Sequence, residues 1–478
     1  MKDSLRLVEK DFVRVFVLFV SATILILYVG LNGIKSPSIF YADDAFFYLK
    51  IAKSLSQYGV TTFDSINETN GFHPLNLIFI AILDRITREF ISHDASNFLI
   101  LMTVFLLVYG IISFRVAKTL AGTITIFLCF LFGSLFMEPW IAFLPLLKRN
   151  LIAKDTALLK FPALFLISFI PVMARIDFVV IPFVLMLTSI LNKNFFNSLI
   201  ILTSSFFAIF FTGLCNLIFG GQSFSVSSEI KSIWSLDYNF SDFLYINYSS
   251  ELNLIKLILI LLVVLFIVVR TASDREVFKL KVIDIYVISG LLFLIIHSNL
   301  SLLRSWYFLL PLVSIVIFLE NTEPRKFGSV SRFKKLIIEK FSYSWPILLA
   351  TFILIAMFYG EGYKHLGSQR ATNDFLIKLE RHCEAYDRIY WLYDGSGFIG
   401  YNSSCPVING DGLVNSKDYI DILKNKKITD YLIDKGYAVL SNKYNDEIID
   451  SLITKHNYGV VVRPSANLNF ASWWLIEK

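Results

Sequence analysis

Charge is what this sequence has least of. Asp, Glu, Lys and Arg together make up 17% of its 478 residues, where an ordinary soluble domain carries about a quarter. That scarcity excludes a soluble globular class for most of the chain. Cysteine is also sparse: Cys129 and Cys215 sit in or at apolar runs, and Cys383 and Cys405 lie in a polar tail. There is no internal repeat and no low-complexity tract. Matched halves with Gly- or Pro-broken spans, the usual mark of a transporter, are missing. No small-residue cleavage signal follows the first apolar run, so that run reads as a retained anchor and not as a removed signal peptide.

What is present is hydrocarbon. Hydrophobic residues amount to 55%, Phe alone contributes 46, and the mean hydropathy is +0.63. The composition is that of a polytopic membrane protein. The formal charge of +6 does not argue for nucleic acid, because membrane proteins collect Lys and Arg on cytoplasmic loops for topological reasons.

Apolar runs close to the ~20 residues that cross a bilayer cover approximately 14–34, 96–114, 119–137, 139–153, 161–175, 178–192, 195–214, 253–269, 283–301, 305–320 and 344–360. With the N-terminus inside, alternation puts 21 Lys and Arg on the cytoplasmic face and 8 on the outer loops before the tail. The positive-inside bias therefore supports about eleven spans, N-terminus in and C-terminus out. The piece HPLNLIFIAILDRI, His73 to Ile86, is short for a span and ends in charge. It reads as a helix on or dipping into the outer leaflet.

After the last run the sequence changes character. Residues 362–478 alternate short strand and helix patterns, enough for a small α/β domain with its own core outside the cytoplasm. The expected fold is thus mainly α: a helical membrane domain over 1–361 with an outer first loop at 35–95, and an extracytoplasmic α/β domain over 362–478. An oxidising compartment permits a Cys383–Cys405 bridge.

Topology gathers polar residues from distant segments onto the outer side: Asp43 and Asp44, Asn70 and His73, Glu138, Arg175 and Asp177, Lys231, and Trp306 with Tyr307. Each has a structural reading of its own. An acid at 43 or 44 can cap the helix that follows, though a cap needs only one. Glu138 and the Arg175/Asp177 pair can be interfacial charges, yet ionisable groups beside a span are costly and tend to be used. His73-Pro74 can shape the chain, Lys231 can be a solvated loop charge, and Trp306-Tyr307 can belong to an aromatic belt.

Taken together, the set is more specific. The stretch DDAFFYLKIAKSLSQYGVTTFDSINETNGFHPL resembles the first outer loop of GT-C type membrane glycosyltransferases, in particular the bacterial group with a TNGFHPLW-like signature that includes arabinofuranosyltransferase-like enzymes. Met137-Glu138, Arg175 with Asp177, SVSSEIK ending at Lys231, Trp306 to Phe308 and INGDGLVN follow in the order of that group. Asn76 stands where the group usually has Trp, and SFSV replaces a more usual LPVS.

The resemblance implies inverting transfer of a sugar from a polyprenyl-phosphate donor to a hydroxyl on a cell-envelope glycan, glycolipid or protein, at the outer face of the inner (plasma) membrane. A carboxylate is needed to take the acceptor's proton, and Asp43 or Asp44 fills that role. Arg175 and Lys231 suit the charge that builds on the departing phosphate. Glu138, Asp177, Asn70, His73, Trp306 and Tyr307 are substrate-binding candidates, with Asp394 and Asp411 on the tail's rim. No metal is obligatory in this reading, although a divalent cation, Mg or Mn, is compatible with the acids. The alternatives are a lipid-linked glycan flippase or transporter and a surface-polysaccharide polymerase or ligase.

Overall fold

A computed structural model describes residues 2–32, 43–148, 151–152, 154–235, 280–300, 305–321, 376–377, 379–380, 383, 389–391, 396–425, 427–441, 447–462 and 474–477. Contacts divide the chain into two compact units. The first comprises Met1–Ile26, Thr103–Phe211 and Ser235–Met357, and the second Leu27–Met102, Thr212–Trp234 and Phe358–Lys478.

The chain is mainly helical. It begins with α1 (Lys2–Asn32), α2 (Asp43–Tyr58), α3 (Pro74–Phe90), α4 (Asp94–Val116) and α5 (Leu120–Ser134). After a 3-10 segment, Glu138–Leu147, come α6 (Phe161–Ala174), α7 (Val180–Leu191), α8 (Phe195–Gly220), α9 (Val226–Ser235), α10 (Val282–Leu300) and α11 (Leu309–Asn321). Among the described residues two helices, α4 and α8, are long and apolar enough to cross a membrane. α8 leaves Phe196, Phe206, Phe207, Phe210 and Ile218 more than half exposed.

The other apolar runs meet different fates. Those at 119–137, 161–175, 178–192, 283–301 and 305–320 fall on shorter apolar helices. The run at 139–153 is not an α-helix: Glu138–Leu147 follows a 3-10 path, with Pro139 at its start and Pro145, which has no backbone donor, inside it. Its side chains are nevertheless buried from Glu138 to Phe143. The runs at 253–269 and 344–360 lie outside the described residues.

In the first unit the turn between α4 and α5 is held from both sides. The buried Arg14 of α1 donates to the carbonyls of Phe114 and Ala117 at the end of α4, and to Thr123 Oγ1. The Glu320 carboxylate accepts from the Lys118 and Thr119 amides at the start of α5. A cation at a helix C-terminus and an anion at an N-terminus both satisfy orphan backbone groups.

In the second unit α3 packs on α2 through a network centred on Asp84. This buried carboxylate accepts from Ser56 Oγ, Arg88 Nε and Asn97 Nδ2, while Arg85 and Glu89 beside it stay exposed. Ile82, Ile86 and Phe90, one turn apart, stay exposed and leave α3 with an apolar outer stripe.

The tail contributes β1 (Ile389–Trp391), α12 (Ser396–Asn402), β2 (Val407–Asn409), α13 (Lys417–Lys424), α14 (Ile428–Lys435), β3 (Ala438–Ser441), α15 (Glu447–His456), β4 (Gly459–Val462) and β5 (Trp474–Glu477). The five strands form one mixed sheet in the order β2-β1-β3-β5-β4. β1 runs parallel to β2 and β3, while β5 is antiparallel to β3 and β4. Tyr390, Ile408, Tyr419, Leu432, Tyr437, Val439, Leu452 and Tyr458 form its core. The Tyr390 and Tyr419 hydroxyls meet each other, and Tyr419 also donates to the Gly410 carbonyl. Burial pushes both phenols above their usual range. Cys383 and Cys405 are bridged, with Cα atoms 5.2 Å apart.

Candidate functional site

In the second unit three segments far apart in sequence meet: TNGF of the first loop, the stretch from Gly220 to Lys231, and INGDGL of the tail. Asn70 is the link between the first two. It is fully buried, and its amide nitrogen lies 3.0 Å from the Phe224 carbonyl, 3.1 Å from that of Gln222 and 3.4 Å from that of Asn216. Its Oδ1 accepts from the Val226 amide at 2.8 Å, the first residue of α9. Thr61 Oγ1 adds a bond to the Phe219 carbonyl.

The third segment closes on the other two. A Cβ on Gly71 would collide with the Leu413 carbonyl, so this approach requires glycine. Gly412 has φ +88°, and its α-carbon faces Ile230 of α9 and Leu423 of α13. Val226, Ile230 and Ile420 form a small apolar cluster beneath, with Leu413 and Leu423 against it. At the surface Lys424 Nζ donates to Glu229 Oε1 at 2.5 Å, which holds the ammonium above its ordinary pKa. Asp411 is buried and accepts from the Leu413 amide. It closes the glycine turn instead of standing on a rim.

α2 brings the acid pair into the same unit. Asp43 is its first residue, Asp44 is half-buried, and the following Ala45 to Leu49 are all buried. Such all-round burial follows from packing on several sides. Phe46 sits edge-on to Phe398 and tilts against Tyr401 of α12, while Phe47 packs edge-on to Phe63. His73 is the residue before α3, and Pro74 starts that helix. The His73 amide donates to the Tyr48 hydroxyl at 3.1 Å, which fixes the start of α3 to α2. The buried Asp64 accepts from the Ile66 and Asn67 amides and shapes the 61–69 turn.

The first unit holds a second cluster. α6 ends at Ala174, and Arg175 turns extended before the 3-10 turn Ile176–Val179. Its guanidinium is buried and divided between two carboxylates: Nη1 donates to Glu138 Oε1 and Nη2 to Asp177 Oδ2, each at 2.8 Å. Nε finds no hydrogen-bond partner among the described residues. The Tyr307 ring centroid is 5.0 Å from the guanidinium carbon, close enough for cation–π attraction. His297 Nε2 lies 3.3 Å from Asp177 Oδ2, and its ring packs against Tyr307.

Four of the expected residues, Glu138, Arg175, Asp177 and Tyr307, therefore form one cluster, and Asn70, His73 and the backbone of Asp43, Asp44 and Lys231 belong to the other unit. Of Asp43, Lys231 and Trp306 only the backbone is described, and Asp394 lies outside the described residues. Sequence reasoning missed His297, whose signal was a titratable side chain inside an apolar run. It also missed Lys50 on α2, where burial and then the neighbouring Lys53 push the ammonium below its ordinary pKa. Among the described residues no group of three or more His, Cys, Asp or Glu side chains is placed to hold a metal ion. No family model matches the sequence, and no curated protein matches it.

Proposed function

We propose that this protein transfers a sugar, with inversion, from a polyprenyl-phosphate donor to a hydroxyl of an envelope glycan, glycolipid or protein. It works from the outer face of the plasma membrane, which it crosses about eleven times. One of Asp43 and Asp44 takes the proton of the attacking hydroxyl; the other orients the acceptor. Lys231 answers the negative charge that grows on the phosphate as the anomeric bond breaks. Arg175, in the first unit, is the other candidate cation, its guanidinium oriented by Glu138 and Asp177.

The observation that carries this reading is the meeting of TNGF, SVSSEIK and INGDGL in one unit. These are three of the six segments on which the resemblance to the GT-C group rests; Met137-Glu138, Arg175 with Asp177, and Trp306 to Phe308 belong to the first unit. The exposed apolar faces of α8 and α3 add support for a membrane setting.

The test is direct. Purified full-length protein is incubated with a panel of polyprenyl-phosphate sugars and the released lipid phosphate is measured, for wild type, Asp43→Asn and Asp44→Asn. At least one donor should be consumed, and one of the two variants should lose about 100-fold or more in rate, as for a missing general base. A panel left wholly intact, or two fully active variants, overturns the proposal.

A further inference from the structure

We propose that Asn70 is a positioning residue: it holds the start of α9, and through that helix Lys231, in register with the first loop. The inference deepens the proposed function and rests on it for the role of Lys231.

The argument begins with the backbone donors at the start of α9. The first amides of any helix lack partners within it and are normally satisfied by a side chain just upstream. Here the amide of Val226 is satisfied from 156 positions away, by Asn70 Oδ1. Ser225 Oγ accepts from the Ser228 amide as a local cap, and Asn70 adds a tertiary one at Val226, so the first turn of α9 is held from its own chain and from the first loop together.

The other end of the same amide acts on the loop before α9. The Asn70 nitrogen draws the carbonyls of Gln222 and Phe224 inward, and that of Asn216 at the longest reach. A buried amide with donors and acceptor all engaged has nothing left for a substrate. Asn70 therefore serves through what it holds and is not itself a ligand-binding group. Lys231 follows Val226 by five residues on the same helix, so a shift at the cap moves the lysine's backbone with it. Gly71, immediately after Asn70, is pressed on Leu413, which fixes the first loop while Asn70 fixes the helix.

Full-length protein in nanodiscs is compared as wild type, Asn70→Ala, Lys231→Ala and the double variant, with Asn70→Asp as the substitution that keeps an acceptor for the Val226 amide. Hydrogen exchange of residues 226–231 is read alongside binding of a long-chain polyprenyl monophosphate. Asn70→Ala should speed exchange at the start of α9 by about tenfold or more and weaken phosphate binding severalfold. In the double variant the two losses should fall well short of multiplying, because one acts through the other; Asn70→Asp should keep part of the protection. A structural role elsewhere would give losses that multiply. Wild-type exchange rates in Asn70→Ala, or independent losses in the double variant, overturn the inference. Should Asn70→Ala fail to fold, Asn70→Asp carries the same test, with intact exchange in Val226 and faster exchange in the loop before it as the expected result and unchanged exchange in both as the overturning one. Loosening of α9 with phosphate binding unchanged supports the latch and removes the role given to Lys231, so the two readings fail separately.

Discussion

A guanidinium shut away from water between two carboxylates cannot be traded for another cation. Arg175 reaches Glu138 and Asp177 with different nitrogens of one rigid plane and lies against the Tyr307 ring. A lysine in its place has one ammonium, which cannot span both acids in that geometry or stack as a flat ion. Arg175→Lys should therefore abolish most transfer while keeping the charge. Truncating Glu138 to Ala, which leaves the cluster one carboxylate short, should lower stability by about 3–5 kcal/mol, the usual cost of breaking a buried pair. Chemical denaturation of the detergent-solubilised protein, with the transfer assay beside it, separates the two effects. An active Arg175→Lys protein would mean that the plane and the fork do not matter. At this scale the sequence was informative about which residues carry charge beside apolar runs, so Glu138, Arg175 and Asp177 were legible. It was silent on who satisfies whom. Asn70 carries the polar atoms of a binding residue, and nothing in its neighbours revealed that distant backbone groups had claimed them; Asp411, by contrast, is claimed by the amide two residues on, in a local turn.

Elements were legible where a single chemical pattern governs them. Long apolar runs gave α4 and α8, and the alternation of the tail gave a sheet with helices. The run at 139–153 shows the limit: hydropathy measures burial, whereas an internal proline such as Pro145 bars a regular α-helix that hydropathy alone would allow. The mixed sheet order was beyond reach because strands of three or four residues carry too little pattern to fix their partners. The contact of α9 with the tail was hidden for the same reason, since it depends on Gly412 as much as on Ile230 and Ile420. A side chain at 412 meets two obstacles, a left-handed backbone and crowding by Leu423 and Ile230. Gly59 has φ +75° but open space around its α-carbon, so it isolates the backbone part, about 1–2 kcal/mol. Gly412→Ala should lower the thermal midpoint clearly more than Gly59→Ala. Equal shifts would show that the tail yields at this contact and that α9 does not rely on it.

At the level of the whole molecule, the composition of the second unit bears on topology. Its pieces are the first loop, the segment around 212–234 and the tail, and these are the parts that the Lys and Arg count assigns to the non-cytoplasmic face. The basic positions Arg115, Lys118, Lys154, Lys160 and Lys193 all fall in the first unit. A bilayer orients a chain by retaining such clusters on the inside, which in the proposed topology leaves the loops of the second unit outside. Single cysteines test it. Lys417 on α13 and Lys193 after α7 are both exposed, while the native thiols either are buried or form the Cys383–Cys405 bridge, so they contribute little background. In intact cells, or in cells whose outer envelope alone is opened, a membrane-impermeant maleimide should label Lys417→Cys, and it should label Lys193→Cys only after the plasma membrane is permeabilised. The reverse pattern would put the acid pair and its loop in the cytoplasm, where an outward-facing lipid-phosphate donor has no access, and the transfer reading would fall with it.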